Sequence, residues 1–411
     1  LELSLSTRYS DYSTFGSTTN SSYKLAYRPF EELLVRASYG EGFRAPSISE
    51  LFLGNSDSRP AATDPCTNNS QAYTTNQSVR DRCAAEGVPA SYRQQGGQLR
   101  STIGGNADAQ PETAKTRVVG FVYSPHFVDG LGISVDWYSI KIENSLGTNS
   151  AQGILNNCYV AGIQSFCDLI ERDFTGSLGN VAEISNIVQT TTNFIGGLET
   201  EGVDVNIDYR FSTSFGNWRV SWDNAYVSYY GTVGKIPYGS VTPDGTISGG
   251  NLVGELAANQ SGGGSRNRLK SNLTLAWNMN DFFASVTAQH MSKQIESCSN
   301  IVNAANALNR PELRSLCSAP DNEKPIFAFV PGSVTETVST IRPAPENKLG
   351  SVVYVDAQFG WESPWNSRFT FGVRNLLDKD PPLAFSAFAN TFEPSYRIPG
   401  RFFYASVTQR F

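Results

Sequence analysis

The 411-residue chain has no stretch near the roughly 20 apolar residues that a helix needs to cross a bilayer. That excludes helical membrane spans from its design. Lys and Arg never form a block and the formal net charge is −6, so nucleic acid is not an expected partner. There are only two His, His126 and His290, both far in sequence from any Cys, and no CxxC, which argues against a zinc site. No metal and no cofactor is expected. Charged residues make up 17% and hydrophobic ones only 39%. Aromatics, by contrast, are abundant at 12%, with 18 Tyr and 24 Phe. A helix-poor, moderately polar, aromatic-rich chain suits a membrane β-barrel, apolar outside, wet inside and ringed by Tyr and Trp.

Period-two alternation recurs along the chain. Val203, Val205, Ile207, Tyr209 and Phe211 share one face, against Asp204, Asn206, Asp208, Arg210 and Ser212 on the other. The same split appears in Leu1/Leu3/Leu5, in Tyr23/Leu25/Tyr27 and in Leu33/Val35/Ala37/Tyr39. It appears again in Trp218/Val220/Trp222, in Val353/Val355/Ala357/Phe359/Trp361 and in Phe369/Phe371/Val373. About twelve strands are expected, near 1–13, 20–29, 32–43, 112–124, 131–144, 198–213, 217–230, 266–278, 281–294, 350–362, 367–377 and 400–411. The connections alternate between short ones and long ones, the latter near 44–111, 145–197, 231–265, 295–349 and 378–399. One brief connection at 14–19 falls on the long side. That asymmetry is expected of an antiparallel up-and-down barrel with short periplasmic turns and long extracellular loops.

All six Cys fall in the long connections as neighbouring pairs. Six Cys allow 15 connectivities. Sequence proximity favours Cys66–Cys83, Cys158–Cys167 and Cys298–Cys317, disulfides that would staple the exposed loops. Helical stretches are expected around Ile154–Tyr159 and at 308–316.

The chain ends on an aromatic strand, Arg401 to Phe411. Phe403, Ala405 and Val407 would face lipid, against Tyr404, Ser406 and Thr408. A strand of this kind has to dock on a neighbour to leave no free edge in a membrane. Phe411 and Phe403 are therefore candidates for the signal read by a barrel assembly machinery. At the other end the chain opens directly on a strand, with no signal peptide, although an exported protein needs one. The expectation is a processed chain or a piece of a longer one.

Three stretches carry a family resemblance. Residues 39–52, Tyr-Gly-Glu-Gly-Phe-Arg-Ala-Pro-Ser-Ile-Ser-Glu-Leu-Phe, resemble the "GFRAPS…ELF" motif of TonB-dependent outer-membrane receptors. Residues 105–113, Gly-Asn-Ala-Asp-Ala-Gln-Pro-Glu-Thr, are similar to that family's "GNPDLKPET" segment, with Ala at two positions. Residues 374–382 and 400–411 resemble its last two strands. The resemblance implies a 22-stranded barrel with an N-terminal plug, of which this chain would supply the last twelve strands. It further implies a Gram-negative outer membrane with its lipopolysaccharide, and import energised through the plug by TonB–ExbB–ExbD. The implied cargo is a scarce bulky nutrient, with a lean to a ferric siderophore and an oligosaccharide or other organic nutrient next. No catalytic residue is implied.

The alternatives are a standalone twelve-stranded barrel, a passive porin or structural barrel, and a secreted adhesin or carbohydrate-binding module. Haem is disfavoured because residues 47–104 contain no His. Arg44 is a candidate contact for an anionic ligand or a plug carboxylate; the competing and favoured reading is that it holds the end of its strand. Tyr73, Tyr92, Tyr238, Phe327 and Phe329 are candidate loop aromatics for stacking on a catecholate or sugar ring, with ordinary loop packing as the competing reading. Arg36, Asp204, Asp208, Arg210, Arg219 and Asp223 are expected to line the lumen. Trp137, Trp218, Trp277, Trp361 and Trp365 are expected in interfacial girdles.

Overall fold

The structure is a computed structural model, and it describes residues 1–194, 197–235, 240–241, 247–256, 266–329, 336–386, 393 and 395–409. Tyr238 and Phe411 lie outside these residues, as do the side chains of Phe327 and Phe329.

Twelve antiparallel strands follow one another in a single sheet in chain order. They are β1 (Glu2–Tyr12), β2 (Gly16–Phe30), β3 (Leu33–Arg44), β4 (Glu112–Tyr123), β5 (Leu131–Glu143) and β6 (Leu198–Thr213). The second six are β7 (Gly216–Thr232), β8 (Leu269–Met279), β9 (Phe282–Met291), β10 (Val352–Glu362), β11 (Ser367–Arg374) and β12 (Phe402–Gln409). This is the up-and-down order of a barrel wall. Among the described residues β1 and β12 do not pair with each other. Among the described residues no helix is long and apolar enough to cross a membrane.

Register explains the alternating sequence. Leu3, Leu25, Ala37, Val119, Trp137 and Val203 stand side by side across β1 to β6. Farther along, Trp222 meets Leu273, Val286 meets Ala357, and Phe371 meets Ala405. This outer face has nothing packed on it: Leu3 is 62% and Phe403 69% exposed. Such a face is stable only against lipid.

The short turns bring aromatic side chains together at one rim. Trp218 lies 6.3 Å from Trp277, Phe282 stacks on Phe359 at 5.9 Å, and Trp361 packs on Trp365 at 5.5 Å. Trp137 departs from the girdle expectation. It sits at the middle of β5, opposite Val119 and Val203, because β5 already begins at Leu131 and six residues lift it into the apolar belt. One two-residue turn places Asn280 at φ 51°, in the left-handed region that Asn tolerates.

The inner face is polar and internally paired. Arg36 reaches across β4 to Asp136, with Nε donating to Oδ1 at 2.8 Å. Asp208 accepts from Arg210 at 2.9 Å and from Arg219 at 2.5 Å. Asn206 donates to Asp223. Aromatic rings also lie close against inner-face glycines. A Cβ on Gly360 would come within 2.0 Å of the Phe283 ring, and one on Gly372 within 2.2 Å of Tyr404. The largest cluster of buried residues lies in the long connections, away from the sheet.

Candidate functional site

The long connections are not irregular. Those at 45–111 and 144–194 fold together into one lobe. Strand Ser56–Ser58 pairs with Ser101–Gly104, which runs parallel to Glu183–Phe194, and that strand in turn pairs with Ser145–Thr148 and Ile170–Asp173. Val79, Ile154, Leu155, Tyr159 and Ile187 are fully buried in its core. Disulfides Cys66–Cys83 and Cys158–Cys167 cross that core.

A buried ion pair organises the lobe. Both terminal guanidinium nitrogens of Arg172 hold Asp64, at 2.7 and 3.0 Å, with both side chains shielded from water. Arg172 also donates to the Tyr159 hydroxyl at 3.0 Å and lies over the rings of Tyr92 and Tyr159. Burial, with the Asp64 charge adding to it, pushes the Tyr92 phenol well above its usual range. Burial does the same for Tyr159.

The two sequence motifs meet where this lobe joins the sheet. Arg44 closes β3 with two forks. One holds Glu112 at 2.7 and 2.9 Å, the other Glu50 at 2.9 and 3.0 Å. Glu50 also forms a capping box with Ser47 at the start of the short helix Ile48–Phe52. Hydrogen bonding from Arg44 holds the Glu50 carboxyl down to about 2. Gly105 sits against the backbone of Leu51 and Leu53, where a Cβ would lie 2.7 Å away. The Gly105 amide donates to the Leu53 carbonyl and the Asn106 amide to that of Glu50. The motif glycine and glutamate thus dock the two segments on each other.

A second lobe is built from the later loops. Glu255–Leu256, Gln294–Ser297 and Glu346–Leu349 form a small sheet. Disulfide Cys298–Cys317 staples the helix Ser299–Ala307 to a short 3-10 turn, Pro311–Leu316. The helix therefore begins nine residues earlier than the 308–316 stretch expected from sequence, and only the 3-10 turn lies there. Its Val302 and Ala305 are buried while Asn303 and Asn306 face out. The last long loop is tied down by Glu296, whose carboxylate accepts from the amides of Phe385 and Ser386 at 3.0 and 2.8 Å. It also accepts from the Ser386 hydroxyl at 2.8 Å and the Asn347 amide at 2.7 Å.

Between the lobes lies a cleft of about 560 Å³. Gln71 of the first lobe and Asn303, Asn306 and Lys324 of the second line it, together with Glu255 and Glu346. Lys324 donates to Glu346 at 2.9 Å and contacts Glu255 at 3.3 Å. These residues form the candidate site, and sequence reasoning had singled out none of them. The outward spacing of Ser299, Asn303 and Asn306 on one helical face was the available signal.

The expected binding residues are scattered. Tyr92 is 3% exposed in the first lobe's core, so its ring offers no stacking surface; the Arg172–Asp64 pair and the surrounding apolar side chains enclose it. Tyr73 packs against the same core and is only partly covered. Arg44 is held on both sides by carboxylates. His126 lies in the short turn before β5, its amide donating to Glu32 at 2.8 Å. His290 is on the outer face opposite Val353. Among the described residues, the one group of potential metal ligands, Glu86 with Cys158 and Cys167, has both sulfurs tied up in a disulfide.

Among solved structures, the siderophore receptor PirA from Acinetobacter baumannii superposes with a TM-score of 0.56 at 12% identity. The alignment covers 98% of this chain and 43% of PirA. The ferric enterobactin receptor PfeA from Pseudomonas aeruginosa gives 0.54 at 14%, covering 98% and 42%. The chain therefore spans less than half the length of either. No curated protein sequence matches it significantly. The family model for the β-barrel of TonB-dependent receptor-like proteins matches residues 1–376, and the chain belongs to that family of outer-membrane β-barrel receptors.

Proposed function

We propose that residues 1–411 are the C-terminal part of a 22-stranded receptor barrel that imports a scarce, bulky nutrient across the outer membrane of a Gram-negative bacterium. The plug and the first strands belong to the portion outside this sequence. One observation carries the reading: a lipid-facing wall with long loops folded into two disulfide-stapled lobes around a cleft. A passive pore has no need of loops with their own cores. The two sheet edges, β1 and β12, which have no outer partner among the described residues, support further strands completing the cylinder. So does the 43% coverage of PirA.

In this reading the loops capture the ligand and TonB–ExbB–ExbD supplies energy through the plug. The barrel assembly machinery reads the last strand, with Phe403 on its lipid face and Phe411 at its end. Lipopolysaccharide surrounds the outer rim. The names of PirA and PfeA support a ferric siderophore as cargo; an oligosaccharide or other organic nutrient is the second candidate. The test is growth-linked uptake by a strain deleted for the full gene, under iron limitation and on defined carbon sources, with and without tonB. A growth defect that needs TonB supports import. Uptake indifferent to tonB would establish a passive pore instead.

A further inference from the structure

We infer that the returning limb of the last long connection is a strap on the lumen side of the wall, latched by Arg397 on Asp356, and that unlatching it uncovers this part of the lumen to solutes from outside. The outer-membrane reading above fixes which side is outside; the latch itself rests on contacts within this chain.

The wall comes first. Val353, Val355 and Ala357 take the outer face of β10, so Tyr354 and Asp356 face the lumen, as does Gln289 of β9 opposite Tyr354. Inner-face side chains nearer the short turns are open: those of Arg210 and Arg219 are 66% and 52% exposed. Tyr354, by contrast, is 1% exposed. The strap covers it. Tyr396 packs with Tyr354, Val352 and Met291, and the Arg397 guanidinium lies 5.4 Å from the centre of the Tyr354 ring.

Arg397 makes the latch. Its Nη1 donates to both Asp356 oxygens, at 2.7 and 2.9 Å, and its Nη2 donates to Gln289. Arg374 and Asp380 also bring charge close to this seat, and Arg374 lies over the Tyr404 ring at 5.6 Å. The Arg397 and Asp356 side chains keep 30% and 27% exposure, so water competes for the pair and it can open. The rest of the attachment is just as reversible. Both lobes are stapled by disulfides, whereas the last connection contains no Cys. Its two limbs hang from one strand of the second lobe, Gln294–Ser297. Gln294 accepts from the Tyr396 hydroxyl at 2.8 Å, and Glu296 from the amides of Phe385 and Ser386. Ile295 and Ser297 of the same strand line the cleft. An occupant of the cleft would therefore touch the strand that holds the strap.

The test uses the full-length receptor on whole cells, with Thr287→Cys as reporter and a membrane-impermeant sulfonated maleimide dye as probe. Thr287 faces the lumen opposite Asp356. All six native Cys are in disulfides, so the introduced thiol is the only free one. Adding Arg397→Gln should speed labelling at least tenfold, and Asp356→Asn should do the same. The two changes shift net charge in opposite directions, so attraction of the dye cannot explain both. Combined, they should label within threefold of either alone, because they break one contact. Heat-modifiable gel mobility shows that each variant folds, and Asn272→Cys, opposite Gln289, is the second reporter. Labelling that is unchanged by either substitution, or rates that multiply in the double variant, would overturn the latch. Labelling does not require TonB, so this result and the uptake assay above fail independently.

Discussion

Arg44 and Glu112 close the ends of β3 and β4 on each other, and the second fork of the same guanidinium holds Glu50. One side chain thus joins both family motifs to the sheet. Lysine cannot replace it, because a single ammonium lacks two planar forks. Arg44→Lys should loosen residues 45–56 and 105–112. The pair is partly exposed, so the loss is on the order of 1 kcal/mol. Hydrogen exchange in those segments should rise roughly fivefold, and unchanged exchange would refute the clamp.

The same clamp sets a pH dependence. Glu50 titrates at about 2 in the folded chain against an ordinary 4.5, a lowered value. A lowered carboxyl contributes stability above its unfolded value, and the contribution disappears as pH falls through the folded one. Thermal scans should therefore show this contribution intact from pH 8 to 5, and shrinking from pH 4.5 towards 2. Glu50→Gln should flatten that part of the profile.

Gly120 is what lets Arg36 reach Asp136. A Cβ there would lie 2.2 Å from an Asp136 carboxylate oxygen and 2.3 Å from the Val135 carbonyl. Gly120→Ala should cost about 1–3 kcal/mol through overpacking, read as a lower temperature for heat-modifiable gel mobility. Adding Asp136→Ala should recover only part of the loss, since the backbone carbonyl stays in place.

The strands were legible because a half-wet sheet writes its two faces into alternate residues, as in Val203–Phe211. The pairing of the cysteines was legible from proximity, and the three disulfides join the expected partners. The interior of the loops was not. Strand Glu183–Phe194 serves a lobe core on one stretch and sheet edges on another, so its apolar residues keep no simple period. Tyr92 and Tyr73 look alike in sequence, yet one is enclosed beside Arg172 and the other only partly covered. Asn303 and Asn306 acquire meaning only when Glu255, Lys324 and Glu346, from three other segments, come round them.

Arg172 and Asp64 offer a sharp test of the first lobe. Removing one partner of a buried pair leaves an unmatched charge, at a cost of about 3–5 kcal/mol. Arg172→Met should make the lobe sensitive to protease while the strands stay folded. Arg172→Met with Asp64→Leu should restore much of the resistance, since no charge remains to be buried. If the single and double variants were equally sensitive, packing of the Arg172 stem on Tyr92 and Tyr159 would outweigh the charge.

Glu296 ties the last loop to the second lobe through four donors, and every one of them points a hydrogen at its carboxylate. Glutamine has nearly the same shape, but one of its ends is itself a donor. In Glu296→Gln the new amide must face either Asn347 and the Phe385 amide, which share one carboxylate oxygen, or the amide and hydroxyl of Ser386, which share the other. At least one buried contact becomes donor against donor. Hydrogen bonds to a charged group contribute about 1.5–3 kcal/mol each, so losing one or two should be enough to free Ala384–Ser386. The β11–β12 ladder has its own hydrogen bonds and should hold. Expected, then, is faster exchange at 383–386 with none at Phe369–Arg374. Exchange that stays slow at 383–386 would mean that Tyr396, whose hydroxyl donates to Gln294 at 2.8 Å, anchors this loop without Glu296.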